Sequence, residues 1–108
     1  VWMAKDETLL RGRVECISLD QAVLDKQLPK PNLIKIDIEG AEKEALENAP
    51  YMFGHIRPLL LLELHNYECD CAAWEFSRRF SYELKSLDTG AILTNKQDVK
   101  GTLLCRPL

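Results

Sequence analysis

The sequence predicts an α/β fold with a mainly parallel sheet, helices on both faces and a C-terminal antiparallel hairpin. Three observations lead there. Apolar runs at Leu33–Ile38 and Pro58–His65 each turn acidic only toward their C-terminal ends. Segments with helical spacing alternate with these runs, giving roughly β-α-β-α-β-α-β-β, and such alternation implies parallel strands joined by crossover helices. Right-handed crossovers then place helices on both faces of the sheet.

Taken in order, residues 1–12 have no clear apolar period and a charged Lys5-Asp6-Glu7 segment, as expected of a connecting arm. Arg13–Ile17 is a short strand candidate. Ser18 followed three residues later by Gln21 matches a capping box, so a helix is expected over Leu19–Gln27, with Leu19, Ala22 and Val23 at helical spacing. Pro29 and Pro31 bracket its end, because proline cannot continue a helix. In PNLIKIDIEGAE, Pro31–Glu42, the apolar residues Leu33, Ile34, Ile36 and Ile38 form a buried strand. Lys35, Asp37 and Glu39 recur with period two and share one face of it. Gly40 lets the backbone turn, and a helix begins at Ala41 with Glu42 and Glu44 in its first turns, where carboxylates suit the helix dipole.

That helix loses its pattern at Asn48–Pro50, and a turn holding Tyr51, Met52, Phe53 and Gly54 is expected to cover the sheet edge. The unbroken leucines of PLLLLELH, Pro58–His65, predict a strand buried on both faces beside the first. Asn66–Asp70 reads as a polar loop. Cys71–Ser86 reads as a helix whose stripe is Ala72, Phe76, Phe80, Leu84 and Leu87. Asp88-Thr89-Gly90 supplies turn chemistry, and Ala91–Thr94 with Gly101–Cys105 forms the final hairpin.

Composition bounds the function. A chain of 108 residues, 46% hydrophobic, is enough for one core, so it is not a disordered tail. A net charge of −3 with both signs mixed offers no basic stripe for nucleic acid and no polybasic patch for a membrane. No run is long enough to span a bilayer and no signal-peptide pattern opens the chain, so a soluble, cytoplasmic protein is expected. Cys16, Cys69, Cys71 and Cys105 lack the paired spacing of a zinc site and read as thiols in a reducing compartment.

Asp37 and Glu39 stand at or past the end of one strand, and Glu63 and His65 at the end of the next. Parallel neighbours would bring all four into the crevice beyond the strand ends, where open α/β sheets bind ligands. Each has a plainer role open to it. Asp37 or Glu63 would pair with Lys35, Glu39 would cap the following helix, and His65 would be a satisfied loop histidine. Two or three carboxylates and an imidazole also suit a divalent ion, but D-x-E and E-x-H are not diagnostic spacings and no metal is predicted. Trp2, Trp74, Tyr51 and Tyr67 are candidates for lining a substrate pocket, or for core and cover.

The run LIKIDIEGAE, preceded by VECISLD and followed by a Pro-Leu-rich strand ending ELH, resembles the FkbM-type S-adenosylmethionine-dependent methyltransferases. The resemblance implies the C-terminal part of a Rossmann-like methyltransferase domain. It further implies O-methylation of a small-molecule or sugar hydroxyl, with Asp37, Glu39, Glu63 and His65 on the acceptor side. The cofactor in this class is held mainly by a Gly-rich loop, yet Gly12, Gly40, Gly54, Gly90 and Gly101 form no G-x-G cluster. A whole domain would then carry about a hundred residues ahead of Val1, and this chain alone would have little or no activity. A non-catalytic remnant kept for interaction is the alternative, with self-association through an open sheet edge.

Overall fold

The computed structural model describes residues 16–108. The connecting arm and most of the first strand candidate lie outside these residues, and Cys16 and Ile17 have no regular structure. Helix α1 (Leu19–Leu24) opens on the expected capping box. Ser18 Oγ accepts from the Gln21 N–H at 3.1 Å, and Gln21 Oε1 accepts from the Ser18 N–H at 2.9 Å. Strand β1 (Leu33–Ile36), helix α2 (Glu42–Glu47) and strand β2 (Leu59–Glu63) follow. Helix α3 (Tyr67–Phe80) leads into strand β3 (Tyr82–Ser86), and strand β4 (Thr102–Pro107) closes the chain.

Among the described residues the sheet has four strands in the order β1-β2-β4-β3. It is mixed: β1 and β2 are parallel, whereas β4 runs antiparallel to both β2 and β3. The expectation of a mainly parallel sheet is therefore corrected. A C-terminal antiparallel pair does exist, but the partner of β4 is Tyr82–Ser86, in register Leu84↔Cys105. Ala91–Thr94 instead folds back on β3 through a single bridge, Lys85↔Ile92.

The reason is a break five residues before the expected end of the last helix. Ser81 adopts a left-handed conformation (φ 56°) and ends α3, and the following residues bury Tyr82, Leu84 and Ser86 alternately as a strand. At its other end α3 starts earlier than expected, because the Asn66 side chain accepts from the Cys69 N–H at 2.8 Å and caps it. The supposed edge-covering turn is helical too. Met52–Ile56 forms a π-helical turn whose Met52 and Phe53 are wholly buried. Asp20 of α1 accepts from the Tyr51 and Met52 N–H groups at 2.8 and 2.7 Å and caps its start.

One core lies between the sheet and the helices. Ile34, Ile36, Leu60, Leu62, Leu103, Cys105 and Leu84 point into it and meet Leu46, Phe53, Cys69 and Phe76. Phe53 stands edge-on to Phe76 with centroids 4.8 Å apart, and Tyr82 packs on both rings. The opposite sheet face carries Leu33, Lys35, Leu59, Lys85 and Arg106, which are exposed, and Leu61 and Leu104, which are half-buried. A β2 buried equally on both faces is thus corrected: Leu60 and Leu62 are buried, while Leu61 is half-buried and Leu59 is 39% exposed. Among the described residues no helix is long and apolar enough to cross a membrane.

Candidate active site

Strands β1 and β2 run side by side with Ile36 opposite Leu62, so both deliver their next residues to the same end of the sheet. Asp37 leaves β1 beside Glu63, the last residue of β2, and His65 follows two residues later. Sequence spacing anticipates this meeting, since parallel register carries residue 37 next to residue 63.

The turn after Asp37 has an unusual backbone. Glu39 has φ 56° and Gly40 φ 103°, two left-handed residues in succession. At Gly40 a β-carbon would meet Asn66 Nδ2 at 3.3 Å, so glycine serves both conformation and space. The turn brings the Ile38 and Gly40 N–H groups onto one atom, Glu42 Oε2, at 3.0 and 3.2 Å. Buried Cys69 donates its thiol to the Gly40 carbonyl at 3.4 Å and ties the turn to α3.

Glu42 is the group sequence reasoning missed. It reads as an ordinary first-turn acid, yet its side chain is 0% exposed. Its second oxygen, Oε1, lies 3.0 Å from His65 Nδ1, while His65 Nε2 lies 3.3 Å from Asp37 Oδ1. The imidazole is therefore held between a buried carboxylate and a half-open one. Burial alone would push the Glu42 carboxyl up, but the His65 hydrogen bond and the two backbone N–H groups hold it below the usual carboxylate range. The Glu42 hydrogen bond in turn raises His65, with the charges of Glu42, Glu39 and Asp37 adding to it against the cost of burial. The only sequence signal for Glu42 was its place two residues after Gly40 within the IKIDIEGAE run.

The other expected residues sort as follows. Glu63 shares a hydrogen bond with Asp37, which, with the Asp37 charge, raises its carboxyl above the ordinary range. Lys35 only softens that effect, and among the described residues it makes no ion pair with Asp37 or Glu63. Glu39 does not cap α2, whose N-cap is Ala41 with no side-chain bond. Instead, Glu39, Asp37 and His65 each bring a donor atom within 4.8 Å of the others. Tyr67 is 75% exposed, beside Cys71, Lys96 and Lys100 in a groove of about 350 Å³. Tyr51 stacks on His55, Trp74 packs against the core, and Trp2 lies outside the described residues.

Chemically, two adjacent carboxyls and an oriented imidazole at the strand ends can hold a polar group and move a proton. Neither a curated protein nor a solved structure matches the chain significantly. A family profile, however, described as the methyltransferase FkbM domain, matches residues 5–86. That span covers β1, the Glu39-Gly40 turn, Glu42, β2 and His65, and the chain belongs to the FkbM methyltransferase domain family.

Proposed function

We propose that this chain carries the acceptor side of an S-adenosylmethionine-dependent O-methyltransferase acting on a hydroxyl of a small molecule or sugar. The observation that carries it is the convergence of Asp37, Glu63 and His65 at the ends of two parallel neighbours, above the buried Glu42. S-adenosylmethionine supplies an electrophilic methyl group to such an oxygen when bound. The described residues hold no glycine-rich loop that would cradle it.

The chain's own residues account for the acceptor. Glu63, raised by the hydrogen bond it shares with Asp37, has the greater proton affinity that favours a general base nearer the working pH. In its ionised form it takes the hydroxyl proton and leaves the electron pair on oxygen. His65, its ring fixed by Glu42, and Asp37 hold that oxygen in place. A cytoplasmic, reducing setting suits this reading, since Cys69, Cys71 and Cys105 are free thiols.

The test is methyl transfer from S-adenosylmethionine to a panel of hydroxyl acceptors, using this sequence within its full natural reading frame. Glu63→Gln is expected to lower kcat by about 10²- to 10⁴-fold with the fold intact by circular dichroism. An unchanged kcat sinks the base assignment, and no transfer to any hydroxyl by the unsubstituted protein sinks the reading.

A second reading, an interaction module without catalysis, is favoured by one observation. Leu33 on edge strand β1 is 58% exposed beside Leu59 on the more exposed sheet face. Self-association abolished by Leu33→Lys, with no methyl transfer, would select it.

A further inference from the structure

We propose that Asp37, Glu39 and His65 bind a divalent first-row transition ion, with Glu42 as the outer carboxylate that aims the imidazole at it. The proposal deepens the acceptor site described above and rests on that placement, but metal binding can be measured without any methyl transfer. One carboxylate oxygen from each acid and one ring nitrogen already lie within 4.8 Å of one another. Ligand bonds of about 2.0–2.2 Å would require only a small contraction of that set.

The orientation of His65 is the second, separate reason. Both backbone N–H groups of the turn occupy Glu42 Oε2, which turns Oε1 toward His65 Nδ1. In the neutral ring the Glu42 contact favours the proton on Nδ1, which leaves the Nε2 lone pair available to a ligand. That lone pair faces Asp37 Oδ1 across 3.3 Å. A second ring proton or a bound cation joins these two atoms. A buried carboxylate that fixes the far nitrogen of a histidine is also the usual support of a metal-bound imidazole.

The donor set narrows the ion. Imidazole suits zinc, iron, copper and nickel, whereas carboxylates suit magnesium, calcium and manganese. A mixed set of one nitrogen and two oxygens fits Mn²⁺, Fe²⁺ or Zn²⁺. The His65 and Asp37 side chains remain 25% and 34% exposed, leaving coordination positions open to water or to an acceptor hydroxyl. An ion there would polarise that hydroxyl and ease the loss of its proton to Glu63.

The experiment is titration of the full chain, stripped of metal with EDTA and dialysed, with MnCl₂, following free Mn²⁺ by electron paramagnetic resonance. Zn²⁺ competition is measured in the same samples. The expected result is one saturable site, weakened at least about tenfold by Asp37→Asn and by His65→Gln, and about 10- to 100-fold by Glu42→Gln. Asp37 and His65 are solvent-accessible, so those two variants keep the test sound if the Glu42 variant unfolds. No saturable binding of either ion by folded protein, or binding unchanged in His65→Gln, overturns the proposal. Ion binding without methyl transfer supports the site and sinks the acceptor reading. Transfer that persists undiminished in EDTA, with no ion bound, does the reverse.

Discussion

The wholly buried carboxylate of Glu42 lies 3.0 Å from Nδ1 of His65 and joins the first turn of α2 to the chain leaving β2. Removing it would leave the Ile38 and Gly40 N–H groups without their acceptor and His65 without its anchor. An unpaired buried donor costs about 1–3 kcal/mol. Glu42→Ala is therefore expected to lower unfolding stability by about 2–4 kcal/mol in urea titrations. Glu42→Gln, which keeps an oxygen for the turn, should lose about half of that. Equal stability of Glu42→Ala and the unsubstituted protein would show that the turn does not depend on this carboxylate.

The same pair sets a pH dependence in metal-free buffer. Hydrogen bonding to Glu42 raises His65 above its ordinary 6.5, so the folded state holds that proton more tightly than the unfolded chain. This contribution is complete below 6.5 and is lost as pH rises through the folded value. Glu42 lies below its ordinary 4.5, so its contribution is complete above 4.5 and lost as pH falls through the depressed value. The two overlap between 4.5 and 6.5. The urea midpoint should be highest in that window and decline as pH rises above it. In His65→Ala the alkaline decline from this pair should vanish; its persistence there would assign the decline to other groups.

Arg57 makes a separate structural prediction. Its guanidinium donates to the carbonyls of Phe53, Phe80 and Ser81 at 3.1, 2.7 and 3.2 Å and reaches that of Leu108 at 3.5 Å, while lying over the Tyr82 ring. One side chain thereby joins the π-helical turn, the end of α3 and the C-terminus. Arg57→Ala is expected to cost about 2–4 kcal/mol, given about 1.5–3 kcal/mol for a hydrogen bond to a charged group. Arg57→Lys should recover little, because a single ammonium lacks the planar fork. Denaturant midpoints measure both, and full rescue by lysine would mean that charge alone matters.

Features encoded locally were legible in the sequence. The Ser18–Gln21 capping box is read from two residues, and the adjacency of β1 and β2 from two apolar runs that turn acidic toward the same end. The misread segment is Tyr82–Ser86. Phe80 and Leu84 are four apart, as on a helix, and nothing in the residue type of Ser81 announces its left-handed turn. The position of β4 between β2 and β3 depends on long-range pairings such as Leu62↔Leu103, which local periodicity does not encode. Strand-end placement anticipated that Asp37, Glu63 and His65 would meet at one end of the sheet. Glu42 escaped because an acid in the first turn of a helix already has an explanation, and only its burial reveals another.

Glu39 links backbone strain to the proposed metal site. It is a non-glycine residue at φ 56°, a conformation that disfavours a β-carbon by about 1–2 kcal/mol. The adjoining Gly40 shows that glycine is used in the same turn where no side chain is required. Glu39 is exposed, so its side chain adds nothing to the core that would offset the strain. Strain retained at such a position is characteristic of functional sites. Glu39→Gly should relieve it and stabilise the protein by about 0.5–1 kcal/mol, part of the gain being offset by the greater freedom of glycine in the unfolded chain. The same variant loses a ligand atom from the set with Asp37 and His65, so its Mn²⁺ affinity should fall while its urea midpoint rises. Opposite movement of those two quantities is specific to a side chain kept for the site. A Glu39→Gly protein that is less stable than the unsubstituted chain would mean that Glu39 supports the turn itself.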